Sequence, residues 1–465
     1  MFKRFCKPRI LLLEQCRNFW GGRKEPKAPQ IQLLELPNGV RVALEESCSP
    51  VVCASLYALA GSRFEDECNN GVSYFIEHMA YKGFSDADED SIIGFLNSIG
   101  AKMTAHTTRE YQSFAGVALA EYAPEIICLL SRIVKDLQFP SKESSVEKVK
   151  IRKELIENDS NQRQLVFDYL HQTAFQGTSL AYPVTPSSRN LKSFDSKTAA
   201  MFMKRNFTPK RVVLAVSGGI CYDQIRQIAE KSFDFSDCSD VCVLPNACKR
   251  YTGSQIIYRD DTMPLLHAAI AVEAPGYTSD DYLPMLVASC LTDSWDKTQS
   301  ADIRHGSPLA RAAATTQICE RFESFYTAYS DVGLWGVYFV CKMQDADDMV
   351  FNIQDCWMNL CTTTTKKELE RAVNTAKLKL AKNVNGVVNS CHDIGRQIIL
   401  TSRRTPLEMY HHELDSLSAG KLKKVGYKYI YDKCPVVAAV GPSERKVRKR
   451  NLKSIKSDIN TPKKS

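Results

Sequence analysis

Hydrophobic and polar positions alternate first over Ile31 to Leu36 and again over Val40 to Leu44, on either side of Pro37-Asn38-Gly39. Period-two alternation around an Asn-Gly pair predicts a β-hairpin. A further strand is predicted over Val51 to Leu59, where the apolar run is nearly continuous. The pattern then changes to the helical period. Gly71 to Gly83 and Ser91 to Ile99 read as helices, the second ending at Gly100. Ala101 to Thr108 and Tyr111 to Ala118 read as two more strands. Pro124 to Leu137, the highly charged stretch Lys142 to Arg163, and Leu191 to Arg205 read as helices, and Arg211 to Val216 as a strand.

The same order then recurs. Met263 to Val272 repeats the strand after Pro50, and Phe325 to Ser330 with Gly333 to Val340 repeats the pair at 101–118. Lys366 to Lys382 repeats the charged helix. Lys428-Tyr429-Ile430-Tyr431-Asp432-Lys433-Cys434-Pro435-Val436-Val437 repeats Lys204-Arg205-Asn206-Phe207-Thr208-Pro209-Lys210-Arg211-Val212-Val213. A spacing of about 215–225 residues is that of duplicated domains, far longer than a solenoid repeat. The expected fold class is therefore α+β, with two tandem homologous α/β sandwich halves at 30–236 and 254–443 and a linker at 237–253.

Charge divides the chain differently. The net charge is +8, yet residues 1–24 carry +6 and residues 444–465 carry +7, which leaves the body at −5. An acidic body argues against a nucleic-acid-binding core, though not against contacts made by a basic tail. The first 24 residues are basic, poor in acids and interspersed with Phe2, Phe5, Ile10 to Leu13, Phe19 and Trp20, the composition of a mitochondrial presequence. The tail after Pro442 has no apolar periodicity and is expected to be disordered. The apolar runs fall short of a membrane span. Seventeen cysteines are scattered through mostly apolar contexts, as in Val52-Cys53-Ala54, and are expected to be reduced and buried. Cys238, Cys242 and Cys248 lack a C-x-x-C pair and a nearby histidine, and read as part of the linker.

Candidate chemistry lies in one stretch. On the helix predicted over Gly71 to Gly83, Tyr74, Glu77 and His78 share a face. A histidine at 74 would make this H-x-x-E-H, an inverted zinc-protease motif with two imidazole ligands and a glutamate base. Tyrosine is a poor substitute, because a phenol must lose a proton with a reference pKa of about 10 to ligate well. A third ligand would come from elsewhere, most obviously the acid-bearing helix over Ile151 to Asn158. His106, in a predicted strand, is a weak stand-in. A Glu-His pair in a helix is ordinarily solvated, and the corresponding stretch of the second half, Leu286 to Trp295, holds neither residue type.

The segment Asn70 to Gly83 resembles the metal-site segment of the pitrilysin-type metallopeptidase family. The likeness is strongest to its mitochondrial branch, which holds processing-peptidase β subunits and the core proteins of respiratory complex III. It continues through Ile99-Gly100-Ala101, Thr107-Thr108-Arg109-Glu110, Glu157-Asn158-Asp159, Phe167 to Gly177, Ala271 to Gly276 and Asp393 to Gln397, over about residues 30–443. The resemblance implies duplicated halves, a place on the matrix side of the mitochondrial inner membrane, and pairing with a core-2-like or α-type processing-peptidase subunit. It puts zinc ligands at Tyr74, His78 and Glu154, the general base at Glu77 and a supporting acid at Glu147. Core proteins of the core-1 type are similar in carrying tyrosine at the first ligand position. The implied function is a non-catalytic complex III subunit in contact with other subunits of that complex. The alternative is a processing peptidase that removes presequences and binds presequence peptides. No cofactor is expected, and zinc only if the degenerate site still binds it.

Overall fold

The computed structural model describes residues 31–234, 250–298 and 306–442. The presequence-like segment, nearly all of the linker with its three cysteines, and the basic tail lie outside these.

Two six-stranded sheets form the frame. In the first, the strands run Ile31–Glu35, Arg41–Glu46, Val212–Gly218, Val51–Ala58, Gln112–Leu119 and Lys102–Thr107 across the sheet. In the second the order is Ser294–Asp296, Arg321–Ala328, Val332–Cys341, Leu266–Pro275, Val436–Gly441 and Gln255–Arg259. Read from opposite ends, the two orders coincide over five strands. In each, one parallel pairing (Arg41–Glu46 with Val212–Gly218, and Val436–Gly441 with Gln255–Arg259) joins an otherwise antiparallel sheet. The duplicated pattern of the sequence is thus a duplicated topology.

The hairpin at Pro37-Asn38-Gly39 forms as its alternation predicts, with Leu34 opposite Val42. Two predicted helices are each broken. The stretch 142–163 divides into Ser141–Asp159 and Gln162–Ala174, and 191–205 into Ser188–Ser193 and Ser196–Asn206. At both breaks a side chain caps the second helix: Asn161 accepts from the Gln164 amide at 3.2 Å and Asp195 from that of Thr198 at 2.7 Å. A capping oxygen satisfies a free amide and favours a fresh start over continuation.

The break after Asp159 matters for the architecture. It lets Gln162–Ala174 leave its own half and lie on the second sheet, where Val166, Leu170 and Ala174 pack against Ala269, Ala271, Val436 and Ala438. The second half reciprocates. Its helix Val387–Thr401 lays Cys391, Ile394 and Ile398 on Ala43, Cys53, Val213 and Ala215 of the first sheet. Gly395 permits that approach, since a Cβ there would come within 2.2 Å of the Tyr57 ring. The opposite face of each sheet is covered by helices of its own half.

Charge and hydrogen bonds fasten the same seam. Arg63 donates to Glu110 at 2.6 Å and to both oxygens of Asp331 at 2.8 Å, and the Ser330 hydroxyl donates to Glu110 at 2.6 Å. Behind them His171 is buried, with Nδ1 2.6 Å from the Phe167 carbonyl and Nε2 2.8 Å from the Tyr329 hydroxyl. A carbonyl can only accept, so Nδ1 carries the proton and Nε2 accepts from Tyr329. Among the described residues no helix is long and apolar enough to cross a membrane.

Candidate functional site

The predicted motif helix is Val72–Met79. Five of its eight residues are buried, and the three that are not are Tyr74, Glu77 and His78. Phe75, Ile76 and Met79 hold the opposite face in the first core. The helix begins at Gly71, whose φ of +92° suits glycine, and where a Cβ would meet Pro186 at 2.3 Å. Its free amides find a buried carboxylate. Glu65 accepts from the backbone of Gly71 at 2.7 Å and of Ser73 at 2.8 Å, from the Ser73 hydroxyl at 2.5 Å and from the Asn70 amide at 2.9 Å. Negative charge is favoured at a helix N-terminus. Glu65 lies six positions before its nearest backbone partner, in no capping pattern, and the sequence reading did not find it.

The structure brings together Tyr74, His78, Glu147 and Glu154. The helix Ser141–Asp159 runs beside the motif helix and supplies both acids. The Tyr74 hydroxyl donates to Glu154 Oε2 at 2.9 Å, and His78 Nε2 lies 3.2 Å from the same oxygen. His78 Nδ1 lies 3.5 Å from Glu147 Oε2, and the two rings of the motif helix are 4.8 Å apart. Glu147 is buried, which opposes its ionisation. The hydrogen bond from Lys150 at 2.6 Å and the charge of Lys82, 3.3 Å away, outweigh that and hold its pKa below the ordinary carboxylate range. Glu77 turns instead toward the edge strand. Its Oε2 is buried without a hydrogen-bond partner, and burial pushes its pKa up against the opposing influence of Thr107, His106 and His78.

A catalytic zinc takes three protein ligands and an open position for water. The donors here do not match that set. Burial, then the hydrogen bond to Glu154, then the charges of Glu154 and Glu77 all push the Tyr74 phenol further from ionisation. A neutral phenol that donates its proton to Glu154 competes for that carboxylate, which the resemblance makes a ligand. Only His78 and Glu154 retain ligand chemistry in their expected roles. Among the described residues no group of three or more His, Cys, Asp or Glu side chains is placed to hold a metal ion. His106 is not drawn into the cluster; it lines a separate cavity on the other face of the edge strand.

Comparison with known proteins agrees with the fold. The model for insulinase (peptidase family M16) matches residues 41–187, and that for the M16 inactive domain matches residues 193–376. The chain is 38% identical to cytochrome b-c1 complex subunit 1, mitochondrial, of Bos taurus, over 90% of this chain and 87% of that relative. It is 36% identical to the mitochondrial-processing peptidase subunit beta of Rattus norvegicus, over 90% and 86%. A chain in the solved structure of complex III2 from Candida albicans superposes with a TM-score of 0.78, covering 88% of this chain and 95% of that one at 22% identity.

Proposed function

The chain belongs to peptidase family M16, and within that family we propose that it is a non-catalytic, core-1-like subunit of mitochondrial complex III, the ubiquinol-cytochrome c reductase. One observation carries the reading. The position that should hold the first zinc ligand holds a tyrosine whose hydroxyl is committed to the second helix, on Glu154. The relatives named cytochrome b-c1 complex subunit 1 support the assignment. In this role the two halves, at 30–236 and 254–443, form a scaffold on the matrix side of the inner membrane. The scaffold pairs with a core-2-like subunit and contacts other subunits of the complex, and residues 1–24 serve as the import signal. Glu77, His78, Glu154 and Glu147 are then relics of a metal centre, and Glu77 is a vestigial base.

The second reading is a processing peptidase of β type with an altered site. The retention of His78, Glu154 and Glu77 favours it, as does the 36% identity to that relative, close to the 38% of the first. The full chain co-expressed with an α-type partner separates the two. Under the first reading, metal analysis finds less than one zinc per chain and a presequence-bearing precursor stays uncut. One tightly bound zinc together with cleavage at the presequence overturns it. The variant Tyr74→His removes the blocking phenol and restores the missing imidazole. Zinc and cleavage appearing only in that variant would show that the rest of the centre is intact.

A further inference from the structure

A cavity of about 410 Å³ lies between the halves, on the face of the first sheet turned toward the helix Val387–Thr401. It shares no lining residue with the Tyr74–His78–Glu154 cluster. Four basic side chains line it. His106 comes from the edge strand Lys102–Thr107, Lys382 from the last turn of Lys366–Asn383, and His392 and Arg396 from Val387–Thr401. The single carboxylate in the lining, Asp393, is already engaged. It accepts from Arg396 and from Gln397, each at 2.9 Å, and pairs with Arg404. The remaining lining is uncharged, including the hydroxyls of Tyr57 and Tyr111 and the amides of Asn383 and Asn389.

Arg396 is thus paired with Asp393, and His106, Lys382 and His392 have no carboxylate of their own in the lining. Burial, then the neighbouring His106, then Arg396 hold the His392 pKa below its ordinary value. Its Nδ1 is 2.8 Å from the Tyr57 hydroxyl, which itself donates to the His392 carbonyl at 3.2 Å. Tyr57 thus accepts from Nδ1–H, and Nε2 is the nitrogen that takes up a proton when a negative group arrives. Other charged groups reach this pair. Glu77 of the motif helix acts electrostatically on His106, and Asp393 holds Arg396. A concave, basic site concentrates anions, and this volume is that of a small-molecule pocket.

We propose that this cavity binds a small, multiply charged oxyanion, a polycarboxylate or a phosphate ester, held between His106, Lys382, His392 and Arg396. Because both halves contribute side chains, the ligand would tie the first sheet to the second half. The proposal stands independently of whether the chain is a scaffold or a peptidase.

Calorimetric titration of the full chain with citrate, and separately with pyrophosphate, tests it, with chloride at matched ionic strength as control. The expected result is saturable binding at one site per chain for at least one of the two anions. Citrate alone identifies a polycarboxylate site, pyrophosphate alone a phosphate site, and both the shared oxyanion chemistry. Lys382→Met and His106→Gln alter partly exposed side chains outside the cores, and each should weaken binding about tenfold. Affinity should also fall as pH rises from the depressed pKa of the free His392, which lies below about 6.5, since His392 must be protonated to donate from both nitrogens. Arg396 is bonded into the fold, so Arg396→Gln is read only alongside those two variants. No saturable binding of either anion, an equal response to chloride, or affinity unchanged in both Lys382→Met and His106→Gln would overturn the proposal.

Discussion

The motif helix Val72–Met79 and the helix Tyr282–Thr292 of the other half follow the same central strand of their respective sheets, and they differ in how they meet the protein. The first buries five of eight residues and presents Tyr74, Glu77 and His78 away from the core. The second buries nine of eleven, from Leu283 to Thr292 with Leu286 alone left partly exposed, and has no charged residue. The duplicated topology therefore does not require a polar face on this helix. In the second half the position serves packing alone, and its sequence has become apolar all round, as a fully enclosed helix does. The first half has a polar face instead, and local contacts hold it: Tyr74 and His78 meet Glu154, and Glu77 faces Thr107.

The largest effect should come from forcing the second helix to resemble the first. Ala288→Glu puts a carboxylate at a fully buried position with no partner. A loss of about 4 kcal/mol or more is expected, enough to unfold that half, as followed by chemical denaturation. The converse change is mild. Glu77→Gln keeps the size and polarity of the side chain and removes the charge from a carboxylate with one buried, unpartnered oxygen, and stability should stay within about 1 kcal/mol.

The crossed helices extend the comparison to the seam. Ile394 and Leu170 are each fully buried against the sheet of the other half. Ile394→Ala and Leu170→Ala should each cost about 2–5 kcal/mol. If the halves unfold as one unit, both variants shift a single transition equally. If Ile394→Ala splits the transition and Leu170→Ala does not, the seam is asymmetric.

None of this seam could be read in the sequence. Periodicity shows that Val166, Leu170 and Ala174 share a buried face, but not which sheet buries it. Lys142 to Arg163 read as one helix because its charges continue without a gap, and only the Asn161 cap decides otherwise. The strands were legible because alternation and the Asn38-Gly39 turn agree, and the duplication because both halves keep their order of elements. The site was legible in part. Tyr74, His78, Glu147 and Glu154 do converge, whereas Glu65 carries no pattern that distinguishes a buried helix anchor from a surface acid.

A pH effect tests the seam at one residue. His171 is fully enclosed and satisfied only when neutral, and burial followed by the charge of Arg109 lowers its pKa well below the ordinary value. In the unfolded chain it titrates near about 6.5. Below that value the unfolded state holds a proton that the folded state refuses, so stability is lost as pH falls from there toward the depressed folded pKa. The slope from this group is about 1.4 kcal/mol per pH unit. Denaturation at a series of pH values should show it, and His171→Gln should remove that component and leave the slope from the carboxylates.

The smallest effect concerns the bond from Tyr74 to Glu154. Tyr74 is half-buried and Glu154 partly exposed, so water can take over when the hydroxyl is deleted. Tyr74→Phe should cost about 0.5–1.5 kcal/mol, the range of one ordinary hydrogen bond. It leaves the ring against His78 and the rest of the helix packing unchanged. Amide exchange along Ser141–Asp159 localises the change: protection should fall around Glu154 and stay unaltered around Ile151, which is buried in the first core. A cost above about 3 kcal/mol would mean that the tyrosine is a structural joint on which the helix Ser141–Asp159 depends. A cost near zero would mean that the polar face survives through His78 and Glu77 alone.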